Sequence, residues 1–223
     1  MPANRHSRPV RAGTIEENTG CPPSEKTMNQ KNIRQHMMRK LKITEMGRMN
    51  QEEFKASEKM PLIIVLDDVR SMYNVGSVFR TADAFRVEAI YLCGITACPP
   101  HPEIHKTALG AEDTVAWKHF ATTMEAVEHL KATGHHVFSI EQCEGSTMLQ
   151  DLNLHAIASQ SGGDAPKGYA IIMGNEVKGV KQEVVNASDG CIEIPQYGTK
   201  HSLNVSTTAG IVMWEFARQL LID

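Results

Sequence analysis

Apolar residues in this chain form short continuous runs that alternate, from residue 61 onward, with stretches of helical period. The first run, Leu62-Ile63-Ile64-Val65-Leu66, has the length and continuity of a strand covered on both faces. Val75, Val78, Phe79, Ala82 and Phe85 follow at i, i+3, i+4, i+7 and i+10 and mark one apolar helix face. Residues 89–92, 114–117, 137–140, 169–173 and 191–194 read as further strands. Thr122 and Glu125 have capping-box spacing and open a helix that Gly134 ends. Val205, Ala209, Val212, Met213, Phe216 and Leu220 mark a long closing helix. Residues 97–112, rich in Pro and His, read as an irregular connection, and His135-His136 as an exposed turn. Strands alternating with helices predict an α/β fold with a mostly parallel sheet flanked by helices. Periodicity alone suggests an open doubly wound sheet, and general topology disfavours knots.

Before Pro61 the character changes. Residues 1–60 carry 12 Lys/Arg against 7 Asp/Glu, net +5, whereas residues 61–223 carry 11 against 19, net −8. A short basic extension over 1–60 therefore precedes an acidic domain over 61–223, and phosphate contacts favour the extension. Pro2, Pro9, Gly13, Gly20, Pro22 and Pro23 leave residues 1–30 with little to bury, so no structure is assigned there, and protein-like sequence starts near Met38. Residues 29–59 are helix-permissive and predict one or two short basic helices. Five cysteines, odd in number and without a C-x-x-C pair, argue against a disulfide framework or zinc ribbon. No apolar run reaches the roughly 20 residues that span a bilayer, and no signal peptide is visible. The expectation is a cytoplasmic protein with no membrane segment and no metal. His101 and His105 near Cys98 are a weak zinc pattern, broken by Pro102 and lacking a second ligand cluster.

Three stretches that follow apolar runs carry the chemistry. They are Asn74-Val75-Gly76-Ser77-Val78-Phe79-Arg80, then Met173-Gly174-Asn175-Glu176-Val177-Lys178-Gly179-Val180, then Ile194-Pro195-Gln196-Tyr197-Gly198 running into Ser202-Leu203-Asn204-Val205-Ser206. Each places glycine, suited to close backbone approach to a ligand, beside an amide, hydroxyl or charge at a strand end. Their bland readings are helix capping for Asn74, Ser202 and Asn204, and surface charge for Arg80 and Glu176. In combination and in this order they resemble the SpoU (TrmH-like) branch of the SPOUT RNA methyltransferases, over residues 61–223.

That resemblance implies transfer of a methyl group from S-adenosylmethionine to a ribose 2'-hydroxyl of tRNA or rRNA. It also implies a deep C-terminal trefoil knot from about Ile171 to the last helix, and a homodimer with Met213, Trp214 and Phe216 as candidate contacts. Arg80, in N-x-G-x-x-x-R, matches the family's catalytic arginine, with Asn74, Glu176, Ser202 and Asn204 as its companions. Glu176 would orient Arg80 or meet the substrate, and Ser202 and Asn204 would position the ribose. Gly174, Ile194 and Leu203 match the cofactor-binding positions, with Pro195 and Gly198 shaping the wall. A guanidinium is too weak an acid to serve readily as a base, so Arg80 reads as a fixed cation beside the developing oxyanion. Glu215 and Arg218 fit either a helical ion pair or a dimer contact. Residues 1–60 are too short and polar for a ribosomal-protein-like RNA-binding domain, which tilts the substrate toward tRNA. The alternatives are a non-catalytic RNA-binding module on the same fold, or a nucleotide-dependent oxidoreductase. The latter lacks its glycine fingerprint after the first strand.

Overall fold

A computed structural model describes residues 39–160 and 165–222. The segment of residues 1–30 left without assigned structure and the Gly162-Gly163 loop lie outside them. Contacts divide the chain between Arg48 and Met49. In the first unit a 3-10 turn, Ile43–Glu45, is closed by an Arg39–Glu45 ion pair at 3.0 Å. Among the described residues, all regular α/β structure belongs to the second.

The second unit opens with helix α1, Gln51–Ala56. Asn50 accepts from the Glu53 amide and Glu53 returns a bond to the Asn50 amide, both at 2.9 Å, a complete capping box. The helix exists to deliver Phe54, buried in the core ahead of the apolar run that begins at Leu62. Seven strands then form one parallel sheet: β1 Met60–Asp67, β2 Val87–Cys93, β3 Ala116–Phe120, β4 His135–Ile140, β5 Thr147–Met148, β6 Gly168–Met173 and β7 Gly190–Glu193. Their order across the sheet is β3-β2-β1-β6-β4-β7-β5. The central position of β1 explains its unbroken apolar sequence. Leu62, Ile64 and Leu66 face one hydrophobic cluster while Ile63 and Val65 face another, as the two-residue period of a strand requires. Each such side chain contributes roughly 1.5–3 kcal/mol on burial.

Helices cover both faces. On one side lie α2 (Met72–Ala84), α3 (Pro102–Ala108), α5 (Leu154–Gln160) and α7 (Val205–Ala217), and on the other α4 (Thr123–Ala132) and α6 (Gln182–Ala187). Val75, Val78, Phe79 and Ala82 of α2 are wholly buried, the face their spacing predicts. Among the described residues no helix is long and apolar enough to cross a membrane.

Several local expectations are corrected. Residues 102–108, read as irregular, form α3: His101 caps it by accepting from the Glu103 amide, and Pro102 opens the first turn, where its missing N–H costs nothing. β3 starts at Ala116 and runs to Phe120, and β5 is a two-residue strand that periodicity does not reveal. His135 is buried at the start of β4, because Gly134, at φ +81°, completes the turn one residue earlier. Met213 and Phe216 fill the core and offer no surface to a partner, whereas Trp214 is half-exposed.

Candidate active site

A parallel sheet gathers every strand's C-terminal end on one edge, and the three motif-bearing segments meet there. The first to be fixed is the loop after β6. Gly174 has no room for a side chain, since a Cβ would lie 2.1 Å from the Gly179 carbonyl carbon. The chain doubles back, with Asn175 and Gly179 exchanging backbone bonds of 3.1 and 2.9 Å. The Asn175 side chain locks the turn, accepting from the Val177 and Lys178 amides and donating to the Asp68 carbonyl at 2.7 Å.

That turn aims Glu176 at the start of α2. Its carboxylate accepts from the Arg70 and Ser71 amides, both at 3.0 Å, and from Asn74 Nδ2 at 3.1 Å. Burial alone would raise its pKa, but these donors outweigh it and hold the carboxyl below its ordinary value. The helix N-terminus further favours the anion. Asn74 Oδ1 in turn accepts from Asn204 Nδ2 at 3.1 Å. Asn204 is the N-cap of α7, with its Oδ1 taking the Ser206 and Thr207 amides. A hydrogen-bonded relay, Glu176 to Asn74 to Asn204, therefore joins all three motifs across separations of 102 and 130 residues.

Beside this relay opens a cavity of about 670 Å³, within the range of small-molecule sites. Gly174, Glu176, Ile194, Ser202, Leu203 and Asn204 line it, so six of the ten expected residues share one cavity. Asn74 borders it through its bonds to Glu176 and Asn204. Pro195 and Gly198 lie on the same loop but outside the lining, and a Cβ on Gly198 would meet nothing within 4 Å. Ser202 is exposed at the rim.

Arg80 lies elsewhere. It is exposed on α2, two turns beyond the first residues of the helix, and its side chain has no hydrogen bond or ion pair among the described residues. Glu176 therefore does not orient it within the chain; the carboxylate spends its acceptors on the helix terminus and Asn74. Gly76 also differs from expectation. It admits α3 rather than a ligand, because a Cβ there would sit 2.2 Å from the Ile104 carbonyl oxygen and Thr107 Oγ1. Glu215 and Arg218 form an ion pair at 2.6 Å within the chain. His101 caps α3 and His105 contacts Glu112, and no three His, Cys, Asp or Glu side chains cluster for a metal among the described residues.

Sequence reading missed the tail of β4, where Glu141, Gln142 and Cys143 all line the cavity. Cys143 contacts Cys191 at 3.1 Å, and burial pushes the Cys191 thiol up to about 12. These residues carry no glycine motif, and their partners lie 39 to 59 positions away.

The family model described as the SpoU rRNA Methylase family matches residues 61–214. The 23S rRNA (guanosine-2'-O-)-methyltransferase RlmB of Neisseria meningitidis is 30% identical over 162 residues, covering 73% of this chain and 60% of that protein. The tRNA (guanosine(18)-2'-O)-methyltransferase of Thermus thermophilus is 28% identical over 178 residues, covering 80% and 85%. Among solved structures, an AdoMet-bound rRNA methyltransferase from Sinorhizobium meliloti superimposes with a TM-score of 0.64 at 27% identity, covering 74% of this chain and 59% of that one. The A. aeolicus TrmH/SpoU tRNA modifying enzyme gives 0.62 at 25%, covering 76% and 79%. The chain thus spans about 60% of the length of the Neisseria relative.

Proposed function

We propose, from the premise that this chain belongs to the SpoU rRNA Methylase family, that it transfers a methyl group from S-adenosylmethionine to a ribose 2'-hydroxyl of RNA. The observation that carries the proposal is the Glu176–Asn74–Asn204 relay at the mouth of the cavity. It brings the start of α2 and two glycine-bearing loops to one place, where an acceptor oxygen and a methyl donor must meet.

The cavity suits the cofactor in size and lining. Gly174 lines it, and Ile194 and Leu203 offer apolar surface to an adenine ring, with Pro195 and Gly198 setting the course of the loop. When bound, S-adenosylmethionine supplies a methyl group already activated on a sulfonium. The chain's own part is to position and to stabilise charge. Ser202 and Asn204 line the cavity and are read as positioning the ribose, and Glu176 holds Asn74 and the start of α2 in register. The family resemblance assigns Arg80, exposed and outside the cavity lining, the role of a fixed guanidinium beside the 2'-oxygen and an adjacent phosphate. Arg80→Ala should lower methyl transfer by about a thousandfold, at the upper end for one lost charge-stabilising donor, with cofactor affinity retained. Undiminished turnover would remove Arg80 from the mechanism.

We further read the protein as a cytoplasmic homodimer carrying the family's C-terminal knot. The half-exposed Trp214, with Ile211, Leu221 and Ile222 on the same C-terminal stretch, supports pairing through α7. β6 lies between β1 and β4 while β7 crosses to the far side of β4, a path that fits a knotted C-terminal half. The test is incubation with tritiated S-adenosylmethionine and unmodified tRNA or rRNA, followed by mapping of the labelled nucleotide. A 2'-O-methyl mark on one RNA is expected. Absence of cofactor binding would sink the reading.

A further inference from the structure

The tail of β4 touches both loops that frame the cavity, and it does so with two adjacent side chains. Glu141 follows the last residue of the strand and ties its own amide to the Ile192 carbonyl of β7 at 3.1 Å. Its Oε2 accepts from the Val180 amide at 3.0 Å, and its Oε1 from the Gln142 amide at 2.9 Å. The second glycine of the G-N-E-V-K-G stretch is shaped to this carboxylate. Gly179 turns at φ +67°, and a Cβ on it would stand 2.0 Å from Glu141 Oε2. Gln142 reaches the other way, donating from Nε2 to the His201 carbonyl at 2.8 Å. That is a direct bond from the sheet to the loop carrying Ser202 and Leu203.

We propose that Glu141 and Gln142 are positioning residues for the cofactor. Glu141 sets the turn that presents Gly174, Gln142 sets the loop that presents Leu203, and together they fix the separation of the two walls. The inference rests on the methyltransferase reading of this cavity. Both carboxylate oxygens of Glu141 are occupied by backbone donors, so its role runs through the loops rather than through its charge. An acceptor, not an anion, is what the Val180 amide needs.

Glu141→Ala, Glu141→Gln and Gln142→Ala in the full chain discriminate the possibilities. S-adenosylmethionine affinity is read by calorimetry, and KM for cofactor and for RNA by initial rates, with melting temperature as a folding control. Glu141→Ala should raise the Kd and KM for the cofactor about tenfold, the equivalent of one or so lost hydrogen bonds, with KM for RNA unchanged. Glu141→Gln keeps an acceptor for Val180 and should stay within about threefold of the parent. Should Glu141→Ala fail to fold, Gln142→Ala carries the test, because Gln142 is exposed. It should raise the cofactor KM by about threefold. Equal loss in Glu141→Gln and Glu141→Ala would overturn the inference, since the charge would then act on the cofactor directly. Parental affinity in all three variants would overturn it as well. A parent protein that binds no S-adenosylmethionine would sink the methyltransferase reading and this inference with it.

Discussion

The two loops that frame the cavity are built in opposite ways. From Gly174 to Val180, Asn175, Glu176, Gly179 and Val180 all bond to one another, to β4 or to the start of α2. From Pro195 to Leu203 the chain is largely exposed, Tyr197 shows 95% of its surface, and the bond from Gln142 to His201 is its tether to the sheet. One wall is complete before any ligand arrives. The other has few contacts of its own beyond the Gln142 bond. Preorganised donors and acceptors cost no ordering when a ligand binds, whereas an untethered loop gives up entropy on closing. We read the first loop as the reference surface and the second as the part that adapts.

The comparison breaks most sharply at Gly174. Its missing side chain is required by backbone atoms of Gly179 and Val180, which cannot swing aside as a side-chain tip would. Gly174→Ala should therefore destabilise the ligand-free protein by about 3 kcal/mol, the upper end for overpacking. For a domain of this size that lowers the melting temperature by roughly 6–12 °C. A melting temperature equal to the parent's would mean that the turn is not closed against itself.

Acid should loosen the same loop. Glu176 has its carboxyl held below the ordinary value of 4.5 in the folded state. Its contribution to stability is thus fully present above that value and disappears as the pH falls through the lower, folded one. Melting temperatures taken from about pH 6 down to about pH 3 should fall more steeply for the parent than for Glu176→Gln, which has no carboxyl to protonate. Parallel curves would show that Glu176 gains nothing from the Arg70 and Ser71 amides.

How much of this was legible beforehand follows a physical line. Patterns that depend on near neighbours were readable: the buried run of β1, the apolar face of α2, the Thr122 cap of α4, whose hydroxyl accepts from the Glu125 amide at 3.2 Å. The motif spacing also located six residues of one cavity's lining. What stayed hidden depends on partners far along the chain. Nothing local says that Glu176 turns to the Ser71 amide rather than to Arg80, or that Gln142 reaches His201. The prolines of residues 97–112 masked α3 because Pro102 stands at the one helical position where proline is welcome. Met213 and Phe216 look like surface candidates beside Trp214, yet neighbouring positions on a helix point about 100° apart, and only Trp214 faces outward.

The smallest expected effect is the one that best tests the adaptable loop. A methyl group added at Gly198 meets no atom, so Gly198→Ala should leave the stability of the ligand-free protein within about 0.5 kcal/mol of the parent. If the loop closes onto the cofactor, the same methyl narrows the conformations available for closing. Affinity for S-adenosylmethionine should then drop by about threefold, the scale of fractions of a kcal/mol seen for loop substitutions of this kind. Thermal unfolding without ligand and calorimetry with it separate the two effects. A stability loss in the ligand-free protein comparable to that of Gly174→Ala would show that the second wall is as firmly built as the first. The contrast between the loops would then vanish, and with it the argument that one of them is shaped by what it binds.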